Sequence, residues 1–246
     1  MYQFFVAPEN IRDNKIIIEG SDVNHIKNVL RMQTGEEISV SNGIDGREYR
    51  CGITALHNDR IECELRFIKE DGVELPSKIY LFQGYPKGDK MELIVQKSVE
   101  LGAYEIIPVF MKRCVVKLDE KKAKSKVCRL QSIAEAAAKQ SKRAVIPKVH
   151  DCMTMKEAIK YAAGLDIMLV PYELADNMSE TREIMEGLKP GQSIGFFIGP
   201  EGGIDGEEIK SLLDAGAKTL TLGKRILRTE TAGLTVLSWL VYLLEQ

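Results

Sequence analysis

From Lys78 onward the chain alternates short apolar runs with helical stretches, and that alternation leaves few folds open. The runs at 78–83, 106–110, 166–170, 194–198 and 219–222 are rich in Ile, Leu, Val and Phe. Helical spacing fills the intervals. Residues 90–101 carry Met91, Ile94, Val95 and Val99 on one side and stop at Gly102. A long helix is predicted over 121–142, with an alanine-rich centre and an end before Pro147, and another over 207–215. The closing helix, from about 231, has Leu234, Leu237, Leu240, Val241 and Leu244 as a stripe suited to a core or to a dimer seam. Strands alternating with helices build a parallel sheet covered by helices, an α/β architecture.

Residues 1–70 have a different texture. Lys15 to Glu19 is a β-branched run, and 37–41 alternates before Asn42-Gly43, with Asp45-Gly46 just beyond. Residues 47–56 and 60–68 read as two further strands around His57-Asn58-Asp59. One helix interrupts them, capped by Ser21 or Asp22 and followed by Val23, Ile26, Val29 and Leu30. Short strands joined by tight turns predict a small β-barrel. Residues 71–77 combine Gly, Pro and charge without periodicity and are the expected linker to a second domain, 78–246.

Two strand-to-loop segments in the last quarter are candidate ligand loops. One runs through Ile198 into Gly199, Pro200, Glu201, Gly202 and Gly203; the other holds Leu222, Gly223, Arg225, Ile226, Leu227, Arg228 and Glu230 before a helix start. Ligands of open α/β sheets bind outside the carboxyl ends of the strands, and glycine there allows close approach to the main chain. A Gly-Pro-Glu-Gly-Gly segment also makes an ordinary strand-to-helix turn. Neither phosphate-loop pattern, G-x-x-x-x-G-K-[ST] or G-x-G-x-x-G, occurs.

Composition narrows the classes. Among 246 residues, 44% apolar and 28% charged is ordinary for a globular protein. No apolar run reaches the length of a membrane span. The five cysteines are widely spaced and form no C-x-x-C or Cys/His cluster, so neither a disulfide framework nor a metal site is expected, and a reducing cytoplasm is. Net charge is −2, yet residues 121–148 hold nine Lys/Arg against the single acid Glu135. Such a stripe is either a solvated helix face or a contact for a polyanion.

With Ile198 to Gly203, IGPEGG, followed by Leu222 to Ala232, LGKRILRTETA, the chain resembles the ribosomal RNA small-subunit methyltransferase E family of the SPOUT superfamily. Upstream, His25 to Arg31 is similar to that family's H-x-x-x-V-L-R, Lys97 to Gly102 to its K-x-x-E-L-G, and Glu135 to Gln140 to its E-A-x-x-Q segment. The family commonly has a glutamine pair where this chain has Lys139-Gln140. The resemblance implies a PUA-like β-barrel followed by a SPOUT-type α/β domain with a trefoil knot. It also implies a homodimer, and methylation of N3 of a uridine in 16S rRNA, within an assembled small subunit. The implied methyl donor is S-adenosyl-L-methionine, held by Gly199, Pro200, Glu201, Gly202, Gly203, Leu222, Gly223, Ile226, Leu227, Thr231 and Ala232. A third wall is expected from Leu169, Val170, Pro171, Tyr172 and Glu173.

Methylating N3 of uracil requires its proton to leave. A carboxylate can take it, or a cation can stabilise the uracil anion through its carbonyl oxygens. Glu230 is the candidate base and Arg228 the candidate cation; an acid in a first helical turn also serves as an ordinary cap. A base in folded RNA must be splayed out to be reached. Arg31, Arg113, Arg129, Lys142, Arg143 and Arg225 are the expected RNA contacts. Two other classes stay open: a related enzyme acting on a ribose 2′-hydroxyl, and a non-catalytic RNA-binding module, which leaves the glycine loops without a purpose.

Overall fold

The computed structural model describes residues 1–70, 72–172 and 177–245. The chain divides into two compact units. One comprises Met1–Glu74 with Ala138–Ile146, the other Leu75–Ala137 with Pro147–Gln246. The return of residues 138–146 to the first unit is absent from the division expected at 71–77, because a basic helical run carries no local mark of where its last turn packs. Asp71, within that expected linker, lies outside the described residues.

The first unit is a six-stranded sheet. Its strands are β1 (Gln3–Phe5), β2 (Ile11–Arg12), β3 (Lys15–Glu19), β4 (Glu37–Ser41), β5 (Glu48–Leu56) and β6 (Arg60–Lys69), in the order β1-β4-β5-β6-β3-β2. The pairs are antiparallel except β1 with β4. Alternation in β3 puts Ile16 and Ile18 into a core with Phe4, Ile38, Val40, Ile53 and Ile61. The expected helix is short: α1 (Ser21–Asn24) passes into a wider turn at His25–Val29, and its N-cap is Gly20 at φ 74° rather than Ser21 or Asp22. The returning segment is anchored on an ion pair. Arg143 is 3% exposed, its Nε donates to Glu74 Oε2 at 3.1 Å, and the Ala144 and Val145 N–H groups donate to the same carboxylate.

The second unit is a parallel sheet. It comprises β7 (Lys78–Gly84), β8 (Glu105–Phe110), β9 (Lys148–Val149), β10 (Met153–Thr154), β11 (Ile167–Pro171), β12 (Ser193–Ile198) and β13 (Lys218–Leu220). The order is β10-β8-β7-β12-β11-β13, with β9 beside β8. Its helices are α2 (Lys90–Glu100), α3 (Glu120–Gln140), α4 (Met155–Ala162), α5 (Met178–Glu186), α6 (Gly206–Asp214) and α7 (Thr229–Leu244). Central β7 and β12 are buried along nearly their whole length, as strands covered on both faces must be. Phe82 and Phe197 stack between them at a centroid separation of 4.4 Å. Helices α4 and α5 are absent from the sequence reading. The capping box of Thr154 and Glu157 marks the start of α4, a signal readable at that spacing.

Candidate functional site

The loops after β12 and β13 meet Pro171 and Tyr172 at the carboxyl end of β11, around a cleft of about 860 Å³ that Lys90 of α2 also lines. That volume lies within the range of small-molecule sites.

The loop after β12 turns back on itself at once. Gly203, at φ 72°, donates its N–H to the Pro200 carbonyl at 2.9 Å. Gly199 is required by this return. A Cβ there would lie 2.7 Å from the Gly203 carbonyl carbon and 2.9 Å from the Ile204 nitrogen. On the other side, a Cβ on Gly84 would lie 2.6 Å from Pro200, so the end of β7 and the loop touch through backbone. Glu201 reaches across the same gap. Its carboxylate accepts from the Lys87 N–H at 3.1 Å and pairs with Lys90 Nζ at 3.1 Å. Burial pushes the Glu201 carboxyl up, but backbone N–H groups of its own residue and of Lys87, with Lys90, hold it below the usual range. The far side of the loop is braced by Arg113, whose Nη1 donates to the Gly202 carbonyl at 3.0 Å. Its Nε lies 3.5 Å from Asp205, the N-cap of α6.

The second loop begins at Thr221, whose N–H donates to the Thr181 hydroxyl at 2.9 Å. Gly223 sits at φ 96° with open space around its missing Cβ, so backbone conformation alone calls for glycine. Lys224, Arg225, Ile226 and Arg228 then form an exposed rim, Ile226 being 91% exposed. Arg228 is the N-cap of α7. The next two residues face inward. Buried Thr229 donates its hydroxyl to the Gly199 carbonyl at 2.6 Å and accepts from Gln83 Nε2 at 2.8 Å. Glu230 Oε2 lies 3.3 Å from Lys90 Nζ, is shielded from solvent, and makes no hydrogen bond among the described residues. The Lys90 ammonium is held above its ordinary range, first by Glu201 and then by Glu230.

The cleft brings together Pro171, Gly199, Pro200, Glu201, Gly202, Gly203, Leu222, Gly223, Arg225, Ile226, Leu227, Arg228 and Ala232 of the residues singled out from sequence. Four others need correction. Leu169 and Val170 are buried inside β11, because a central parallel strand has both faces covered. Thr231 is exposed and off the cleft lining, and Glu230 is turned to Lys90 instead. Glu173 lies outside the described residues.

The basic residues also separate. Arg143 is corrected from RNA contact to internal support, since its guanidinium is occupied by Glu74. Arg31 and Lys142 are exposed, both with left-handed φ, and Arg129 is exposed with Glu92 at 2.7 Å. Lys90, Gln83 and Thr229 escaped the sequence reading. Nothing in a lone glutamine at the end of the run 78–83, or in a lone lysine at the start of the helix 90–101, says which way it faces.

A parallel sheet with glycine loops, an apolar cleft and a basic rim suits an enzyme that brings a small-molecule cofactor to a polyanion. Residues 73–241 match the family model of RNA methyltransferase domains, and residues 18–66 that of RNA methyltransferase PUA domains. The chain belongs to the ribosomal RNA small subunit methyltransferase E family. It is 40% identical to the Bacillus subtilis protein of that name, over 93% of this chain and 90% of that one. Among solved structures it is similar to the Neisseria gonorrhoeae ribosomal RNA small subunit methyltransferase E bound to S-adenosyl methionine, with a TM-score of 0.83 and 32% identity over 99% and 98% of the two chains. A Legionella pneumophila methyltransferase in complex with the same cofactor gives a TM-score of 0.85 and 30% identity over 98% and 97%.

Proposed function

We propose that this protein methylates N3 of a uridine in 16S rRNA of the small ribosomal subunit, with S-adenosyl-L-methionine as donor. The observation that carries the reading is one cleft with two kinds of wall. Ile198, Leu222, Leu227 and Ala232 offer apolar surface suited to an adenosine, and the Glu201 carboxylate offers a charge suited to the ammonium of an amino acid. Gly199, Pro200, Gly202, Gly203, Gly223 and Pro171 would complete the hold. Lys224, Arg225 and Arg228 face the polyanion side. The donor, when bound, supplies a methyl group on a sulfonium; the N3–carbon bond forms as the sulfur–carbon bond breaks.

The residues of this chain supply position and charge. Holding acceptor and donor in line contributes much of the rate. Arg228 lines the cleft and is exposed, so its guanidinium can meet a uracil carbonyl as N3 loses its proton to solvent. Glu230 faces Lys90, which favours the cation over the carboxylate as the group that helps deprotonation. Arg228→Ala is expected to lower turnover more than Glu230→Gln does, with partial rescue on raising pH. A Glu230→Gln enzyme that loses ~100-fold while Arg228→Ala stays active would reverse the assignment.

The family resemblance extends the proposal to a PUA-like barrel for residues 1–70, a trefoil knot within 78–246, and a cytoplasmic homodimer. An exposed apolar set on α7 and α2 supports the dimer: Tyr242 is 85% exposed and Leu93 45%, beside half-buried Leu234 and Trp239. Leu237 is fully buried and belongs to the core. RNA contacts are proposed for Arg31, Arg129, Lys142 and Arg225, with Arg113 bracing the loop. The test is to treat unmethylated small subunits and free 16S rRNA with enzyme and donor, then identify the modified nucleoside by mass spectrometry. N3-methyluridine supports the reading, and a 2′-O-methyl product or none overturns it.

A further inference from the structure

Arg228, Thr229 and Glu230 open α7, and the last two are pinned in chemically different ways. Thr229 is pinned by neutral hydrogen bonds to Gln83 and to the Gly199 carbonyl. Glu230 is pinned by one charge, the Lys90 ammonium, which also holds Glu201. Two carboxylates, one from the loop after β12 and one from the first turn of α7, therefore share a single cation at the edge of the cleft. The shielded Oε2 of Glu230 makes no hydrogen bond among the described residues, so its charge is balanced there by Lys90. The Glu230 side chain is 19% exposed, so a carboxylate there that loses its cation turns toward water.

We propose that Lys90 is a positioning residue for methyl transfer: by clamping Glu201 and Glu230 on one ammonium, it fixes the loop 199–203 against the start of α7 and so aims Arg228 into the cleft. The proposal rests on the methyltransferase reading above. The 199–203 loop keeps two further supports that do not involve Lys90, the Thr229–Gly199 hydrogen bond and the close contact of Gly84 with Pro200. Loss of Lys90 therefore weakens donor binding little and impairs the orientation of Arg228 much.

The test compares Lys90→Met, Lys90→Arg and Lys90→Met/Glu230→Gln with the unaltered protein. Three readouts are taken: adenosylmethionine affinity by calorimetry, kcat and KM on small-subunit RNA, and amide hydrogen exchange of residues 229–232 in the protein alone. Lys90→Met is expected to keep donor affinity within ~3-fold, lower kcat by ~10-fold or more, and speed exchange at the start of α7. Lys90→Arg should restore kcat at least in part because it keeps the shared cation. The double variant should recover slow exchange, because no carboxylate is left unpaired at position 230. Unchanged kcat and exchange in Lys90→Met overturn the proposal. So does a parallel loss of melting temperature, affinity and kcat that neither Lys90→Arg nor the double variant relieves, which marks Lys90 as a general fold contact. An unaltered protein that methylates no RNA defeats the underlying function instead, and the exchange data still decide whether the clamp exists.

Discussion

Gly199→Ala isolates how tightly the first loop must turn. Gly199 is not at positive φ, so alanine meets no backbone penalty there, and the effect is purely steric. The new Cβ would lie 2.7 Å from the Gly203 carbonyl carbon, where ordinary contact begins at 3.4 Å, so the loop must open by about 0.7 Å, the difference of the two. All three of its nearest neighbours are backbone atoms, and no flexible side chain can move aside. Overpacking of this kind costs about 1–3 kcal/mol. If the opened loop is what the donor then meets, affinity falls by about 5- to 150-fold, at 1.4 kcal/mol per factor of ten. Calorimetric titration with adenosylmethionine gives the affinity, and a melting curve shows whether the fold survives. Gly216→Ala, away from the cleft, is the control with open space, since its penalty comes only from φ 93°. A folded Gly199→Ala protein with unaltered affinity would refute the argument that this turn shapes the pocket.

Arg143→Ala should destabilise the protein by about 3 kcal/mol, the lower end for a broken buried pair because the Glu74 side chain is 21% exposed; exposed Lys142→Glu should leave the melt unchanged. If Lys142 contacts phosphate, its reversal weakens RNA binding and flattens the salt dependence, whereas an unaltered slope assigns it to solvent. Glu105 accepts from His150 at 2.7 Å and from Tyr161 at 2.6 Å. Burial raises its carboxyl, but these donors prevail and hold it below its ordinary 4.5. The stability they contribute is complete above about pH 4.5 and is lost as pH falls through the lowered value. Tyr161→Phe should lower melting at pH 7 by about 3–6 °C, and the gap should close in acid; a gap constant with pH would exclude the linkage. Tyr242→Glu should weaken the proposed dimer in light scattering while the melt stays near that of the unaltered chain, and a mass indifferent to the change would remove α7 from the seam.

The parallel sheet was legible because each strand is an apolar run bounded by turns, and the candidate loops because glycine and proline punctuate them. The reasons for individual glycines were less legible. Gly199 reads from sequence as room for a ligand, yet its missing side chain makes room for Gly203 of the same loop. Side-chain direction was the main loss. Arg143 and Lys142 are neighbours in one basic run, but one is buried on Glu74 and the other faces solvent. Glu230 was the candidate base because it sits where the second loop segment ends, whereas successive helical residues point about 100° apart and its own direction is toward Lys90. Lys90 has no motif of its own; its role depends on two acids more than a hundred residues away.

That angular offset has a consequence for the length of the chain. Arg228, Thr229 and Glu230 address three targets in turn: the open cleft, the ends of β7 and β12, and Lys90. A single residue inserted or deleted within α7, between Thr229 and the buried stripe of Val236, Leu237, Leu240 and Leu244, would rotate the start of the helix by about 100° relative to them. A polar hydroxyl or a carboxylate would then arrive where the other belongs. The spacing from Thr229 to Val236 is thus a ruler whose length matters more than the identity of several residues along it, and Thr231, exposed between them, is a place where composition can drift while the count stays fixed.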